Sequence, residues 1–94
     1  MARSPLDKIR AMSEEIADLD RVIEQARAEL GMLVHIDDDA RRDALVSEHE
    51  EDRQAARMTA ADVARLERQI VKLETHRAKV AAKQKRAIDK IAST

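Results

Sequence analysis

The chain has 94 residues, of which 44% are hydrophobic, 39% are charged and none is aromatic. This length allows one domain, and we predict a single helical domain over residues 1–94. The lack of Phe, Trp and Tyr argues against most β folds, because strands favour aromatic residues, and one glycine with one proline cannot supply the turns of a protein with many strands. The absence of cysteine excludes disulfides and thiolate chemistry. A net charge of −1 gives no overall attraction to nucleic acid or membranes.

The first predicted helix covers residues 4–35. Ser4 and Pro5 are typical of a cap residue and the first helical position, and Asp7 supplies an acid in the first turn. Apolar residues then recur at heptad spacing over four repeats, which predicts a coiled-coil stripe. This stripe contains Ile9, Met12, Ile16, Leu19, Ile23, Ala26, Leu30 and Leu33.

The heptad pattern stops at Asp37, which occupies the next position where an apolar residue is expected. We therefore predict a break there and a short polar helix over residues 39–57, with an aspartate as its cap. Thr59 and Asp62 then form a capping-box pattern, which predicts a long helix over residues 59–92. An alternative interpretation joins residues 39–92 into one helix, because several apolar residues stay in phase.

Two long helices of similar length on either side of a short polar segment predict an antiparallel helical hairpin, or coiled coil. Such a small core is often supplemented by oligomerisation, so we expect a homo-oligomer, preferably a dimer that forms a helical bundle. Off the main stripe, Val22, Met32, Val34 and Val71 also need cover. The residues predicted to mediate self-association are Ile9, Met12, Ile16, Leu19, Ile23, Leu30, Leu33, Val63, Leu66, Ile70 and Leu73.

Charges are segregated along the chain, with an acidic segment over residues 36–58, the predicted tip, and a basic C-terminal end over residues 77–94. Both clusters have a structural explanation, since acids at helix N-termini and bases at C-termini complement the helix dipole. The functional interpretation is an acidic tip that docks on a protein partner. Its candidate binding residues are Asp37, Asp38, Asp39, Asp43, Glu48 and Glu51.

The basic end suggests a second class of partner, because lysine and arginine side chains can contact nucleic-acid phosphates. No aromatic residue is present to stack on bases, so we expect backbone contacts at most. The candidate phosphate contacts are Arg77, Lys79, Lys83, Lys85 and Arg86.

We expect no catalytic residue, no cofactor and no metal site. The single Gly31 cannot build a phosphate-binding glycine loop. Zinc and di-iron motifs place their ligands at spacings that His35, His49 and His76 do not match. No signal peptide is recognisable, and no apolar run approaches the ~20 residues that a membrane span needs. These features predict a cytoplasmic protein without membrane attachment.

Residues 39–46 resemble the start of the second helix in the all-helical chorismate mutases. The resemblance covers about 22 residues in two segments, the second from Met58 to Val71. It implies a three-helix enzyme in which Arg42 binds a substrate carboxylate. The chain departs from that family because it has no lysine between Lys8 and Lys72, where those enzymes place one late in the first helix.

A hairpin with an acidic tip is also similar to the coiled-coil factors that enter the secondary channel of bacterial RNA polymerase. That similarity implies a tip made of Asp37, Asp38 and Asp39, which would reach the catalytic Mg²⁺ of the polymerase. The function that we predict from the sequence is more general. It is a non-enzymatic helical protein–protein interaction module, an adaptor, inhibitor or assembly factor of bacterial or phage origin.

Overall fold

The structure is a computed structural model that describes residues 4–93. It consists of two long α-helices, α1 over Pro5–Val46 and α2 over Glu50–Ala92, joined by a loop over residues 47–49. The two helices form a hairpin, and the residues described contain no β-strand. The predicted all-α helical hairpin is therefore confirmed.

Helix α1 begins with the predicted cap. The backbone N–H of Asp7 donates to the Ser4 hydroxyl oxygen at 3.1 Å, and the N–H of Lys8 donates to the Ser4 carbonyl at 3.1 Å. Pro5 takes the first helical position, where a missing N–H loses no intrahelical bond. The start of α1 is thus determined by residues that are adjacent in sequence.

Helix α1 does not end before Asp37 but continues to Val46, so the predicted break and the separate helix over residues 39–57 are wrong. The heptad spacing persists beyond Asp37 through Ala40 and Ala44, which are both half-buried. We call the heptad positions that lie between the two helices the seam. Asp37 occupies a seam position without ending the helix because its carboxylate has partners there.

Helix α2 begins at Glu50, nine residues before the predicted start at Thr59. Thr59 is therefore inside a helix, where its hydroxyl oxygen lies 3.1 Å from the Ala56 carbonyl oxygen of the preceding turn instead of capping. The alternative of one helix over residues 39–92 is also wrong, because the loop interrupts it. Read backwards from Val63, the heptad spacing continues through Thr59 and Ala56.

The loop over residues 47–49 is held by a serine and acids rather than by glycine or proline. The N–H of His49 donates to the Ser47 hydroxyl oxygen at 3.0 Å, and the Ser47 hydroxyl donates to the Asp52 carboxylate. Glu50, Glu51 and Asp52 form the first turn of α2, where negative charge is favoured by the helix dipole. These contacts stabilise the turn of the hairpin at residues 47–49.

The chain divides into two compact units. Unit 1 combines Met1–Ile23 with Lys72–Thr94, and unit 2 is Glu24–Val71. Each unit contains a segment of both helices. Within residues 4–93, no stretch of either helix is both long and apolar enough to cross a membrane.

The buried apolar core of each unit is small. In unit 1 it consists of Ile23 and Val80, and in unit 2 of Ala26 and Ile70. All four residues occupy seam positions, as a coiled-coil arrangement requires. The remaining seam residues are mostly half-buried. A hairpin of two helices thus covers one stripe of each helix and leaves the other faces open.

Candidate interaction surface

The six acids of the predicted tip do not lie together at the turn. Asp37, Asp38 and Asp39 lie in α1 eight to ten residues before the loop, which is roughly 12–15 Å along the helix axis. Asp43 lies in the last turn of α1. The loop itself contains Glu48, and Glu51 lies in the first turn of α2. The similarity to polymerase-channel factors required the three aspartates at the tip, and they are not there.

Asp37 is 2% exposed and is the one buried polar residue in the described part of the chain. The Thr59 hydroxyl donates to Asp37 Oδ1 at 2.8 Å, and the Arg41 guanidinium lies 2.7 Å from Oδ2. A carboxylate is buried at acceptable cost only when both oxygens have partners of this kind. Asp37 therefore connects the two helices within unit 2 and is not available to a binding partner.

The other five acids are exposed. Asp39 forms an ion pair with Arg42 at 2.8 Å. Among residues 4–93, the other four carboxylates have no ion-pair partner. We call these five residues, Asp38, Asp39, Asp43, Glu48 and Glu51, the acidic surface.

Two arginines near the loop do not neutralise the acidic surface, because both are bound to Glu50. Arg57 donates to Glu50 Oε1 at 2.7 Å, and Arg53 donates to Oε2 at 3.0 Å. These hydrogen bonds, the one from Arg57 first, lower the pKa of Glu50 below its ordinary value of 4.5. Glu50 thus stays ionised and keeps both guanidinium groups engaged.

The candidate phosphate contacts lie on α2 in unit 1, and two of them are already paired. Arg77 forms an ion pair with Asp20 of α1, with Nη2 at 3.2 Å from Oδ2, and this hydrogen-bonded carboxylate raises the pKa of Arg77. Lys85 pairs with Asp89 at 2.8 Å, which raises the pKa of Lys85. The remaining three, Lys79, Lys83 and Arg86, are exposed.

The eleven residues predicted to mediate self-association lie in the seam. Ile23 and Ile70 are buried, and the other nine are half-buried. Their side chains pack within the hairpin, so they do not form a free apolar face. Their role in self-association stays a prediction.

Polar seam residues have polar partners. Gln84 donates from Nε2 to the Ile9 carbonyl at 3.1 Å and to the Ser13 hydroxyl. In unit 2, Asp37 pairs with Thr59, as described above. Polar residues at such positions fix the register of paired helices at some cost in stability. The seam therefore specifies which residues of α1 and α2 face each other in each unit.

Many large apolar side chains remain exposed outside the seam, among them the four that the sequence analysis singled out as needing cover. Val46 is 85% exposed and Leu45 is 84% exposed. Except for Ile91, which occupies a heptad position near the end of α2, these residues lie outside the heptad stripe, and this is how the sequence marks them. The exposed large apolar residues are Leu6, Val22, Met32, Val34, Ile36, Leu45, Val46, Met58, Val71, Ile88 and Ile91.

Unit 1 contains an open cavity of about 420 Å³. Its floor is apolar, and two lysines border it. The lining residues are Pro5, Lys8, Met12, Ala87, Lys90 and Ile91. No carboxylate in residues 4–93 lies within ion-pair distance of either lysine. The sequence analysis did not identify this cavity, because it depends on residues from the two ends of the chain.

The structure also places the residues of the chorismate mutase resemblance. Residues 39–46 form the last part of α1 rather than the start of a second helix, so the implied three-helix arrangement is absent from the described residues. Arg42 is exposed and bound to Asp39. Across residues 4–93, no group of three or more His, Asp or Glu side chains is arranged to hold a metal ion.

Comparison of the chain with protein-family models, with curated proteins and with solved structures found no match.

Proposed function

We propose that this protein is a cytoplasmic, non-enzymatic helical interaction module that self-associates and presents the acidic surface to a basic region of a protein partner. In this role it acts as an adaptor, inhibitor or assembly factor. The observation that carries the proposal is the set of large apolar side chains that the hairpin leaves exposed.

Eleven large apolar side chains are exposed among the described residues, and Leu45 and Val46 are 84% and 85% exposed. Large exposed apolar patches mark interaction sites in soluble proteins. The exposed apolar residues therefore favour association with another polypeptide.

The acidic surface supports a basic partner. Four of its five carboxylates have no ion-pair partner among the described residues, so their charge is not neutralised within the hairpin. Unpaired surface charge of one sign accelerates encounter with a partner of the opposite sign and suppresses wrong partners. The nearby arginines that could have neutralised it are held by Glu50.

The experiment is quantitative affinity capture from a bacterial lysate with the full chain as bait. One variant combines Asp38→Asn, Glu48→Gln and Glu51→Gln, which removes three charges without touching the buried Asp37. The matched control combines Glu14→Gln, Glu24→Gln and Glu67→Gln, which removes three exposed charges elsewhere. Both variants should keep the helical circular dichroism of the parent.

We expect at least one protein that the parent and the control capture equally and that the acidic-surface variant captures about tenfold less, a loss of about 1.4 kcal/mol. Purified, that protein should bind the parent directly in a salt-sensitive way. Identical capture by all three baits would contradict the proposed role of the acidic surface.

A further inference from the structure

One exposed stripe of α1 in unit 2 repeats with heptad spacing outside the seam. It contains Met32, Ile36 and Val46, which are 69%, 50% and 85% exposed, together with the exposed Asp39 and Asp43. Residues three and four positions apart lie on the same face of a helix, so these five side chains form one continuous surface. We call it the outer stripe. It combines apolar residues with carboxylates.

The cavity in unit 1 has the complementary composition. Its floor is apolar, with Met12, Ala87 and Ile91, and Lys8 and Lys90 stand at its border. Neither ammonium group has an ion-pair partner among residues 4–93. Two positive charges thus lie beside one apolar cavity, and no carboxylate of the described chain neutralises them. This combination favours a ligand that is apolar and also carries negative charge.

We propose that the cavity of unit 1 binds the outer stripe of a second copy of this chain. Apolar side chains of the stripe contact the cavity floor, while Asp43, together with Asp39 and its bound Arg42, approaches Lys8 and Lys90. Asp38, Glu48 and Glu51 of the acidic surface stay available to the protein partner. This inference deepens the proposed self-association and rests on it, since it identifies the two surfaces that meet.

The overall distribution of charge supports the same pairing. Unit 1 contains eleven bases and seven acids, a net charge of +4, whereas unit 2 contains twelve acids and seven bases, a net charge of −5. Association of unit 1 with unit 2 of another copy brings opposite charges together. Association of like units brings equal charges together, which is unfavourable.

The proposed contact is reciprocal. In a reciprocal contact, each chain offers its outer stripe to the cavity of the other, and a pair of chains leaves neither surface free. A one-way contact would leave a stripe and a cavity open at each end and continue into a filament. We therefore expect a closed dimer with two identical contacts.

The test is a charge swap measured by sedimentation velocity on the full chain, up to about 0.2 mM protein. One variant combines Lys8→Glu and Lys90→Glu, a second combines Asp39→Lys and Asp43→Lys, and a third carries all four changes. The control combines Lys79→Glu and Glu14→Lys, which exchanges two exposed charges of unit 1 outside the lining of the cavity and keeps the net charge of the unit. Circular dichroism checks that every variant keeps its helices.

We expect the parent and the control to have twice the 10.6 kDa mass of the chain. The first two variants should raise the dissociation constant at least about tenfold, and the four-fold variant should recover most of the loss. A variant that merely misfolds could not be rescued in this way.

Three other results would overturn the pairing. A dimer that neither swap weakens would leave self-association standing but exclude these two surfaces. Assemblies larger than a dimer would exclude the reciprocal contact. A parent that stays monomeric up to the highest concentration would exclude both the pairing and the proposed self-association, whereas the acidic surface would still be tested separately by capture.

Discussion

Asp37 illustrates how one residue can be misjudged when its partners are distant in sequence. A charged residue in an apolar repeat normally ends a coiled-coil stripe, so the sequence alone predicts a helix break at Asp37. In the structure, the carboxylate is satisfied by Thr59, which lies 22 residues away, and by Arg41 one turn away. The charge is therefore compatible with a buried seam position, and the helix continues.

At this scale we predict that Thr59→Val lowers the free energy of unfolding by about 1–3 kcal/mol. The substitution keeps the shape of the side chain but removes the hydroxyl that donates to the buried Asp37 carboxylate, and an unsatisfied buried acceptor costs about that much. Urea denaturation followed by circular dichroism, at one fixed protein concentration, measures the change.

Two further variants test the cause. Thr59→Ser keeps the hydroxyl and should lose much less stability than Thr59→Val. The double variant Asp37→Leu with Thr59→Val replaces the polar pair by apolar side chains and should recover stability, since an apolar pair of similar size often replaces a buried polar one without loss. Equal stability of Thr59→Val and the parent would mean that this hydrogen bond contributes nothing.

At the scale of the helices, local signals were sufficient for some features and insufficient for others. The cap of α1 was predictable because Ser4 and Asp7 are three residues apart. The stripes of Ile, Leu and Val predicted the hairpin. The turn was misplaced because no glycine or proline marks it, and because the pairing of Asp37 with Thr59 is not visible in either segment alone.

A sequence signal for the true turn did exist in the weaker positions of the repeat. The heptad spacing continues from Leu33 through Ala40 and Ala44, and backwards from Val63 through Ala56. Alanine and polar residues fill these positions, so the pattern is hard to recognise by hydrophobicity. Among the surface features, the exposure of Val22, Met32, Val34 and Val71 was predictable, because these residues lie off the heptad stripe. The cavity in unit 1 was not.

Helix α1 also contains a glycine that its structure does not require. Gly31 has an ordinary helical conformation, and a methyl group at its Cα would meet no atom within 4 Å. We therefore predict that Gly31→Ala raises the free energy of unfolding by about 0.5–1 kcal/mol, because alanine loses less backbone freedom on folding. The urea midpoint reports the gain.

The matched control for this prediction is Ala28→Gly, the reverse change at another exposed position of α1. It should lower the free energy of unfolding by about the same amount as Gly31→Ala raises it. A decrease in stability for Gly31→Ala would show that the glycine has a role beyond the helix, such as close approach of another chain.

For the whole molecule, the separation of charge between unit 1 and unit 2 predicts that self-association depends on salt. Screening shortens the range of charge–charge interactions from about 10 Å at 0.1 M salt to about 3 Å at 1 M. Exposed ion pairs contribute about 0.2–1 kcal/mol each, so the dissociation constant should rise about fivefold between about 0.05 and 0.5 M sodium chloride. Sedimentation velocity at each salt concentration measures it. With Lys8→Gln and Lys90→Gln in place, association should be weaker at low salt and should depend less on salt than in the parent. If the parent instead associates more tightly as salt increases, apolar contacts alone hold the copies together, and the opposite charges of the two units do not select the partner.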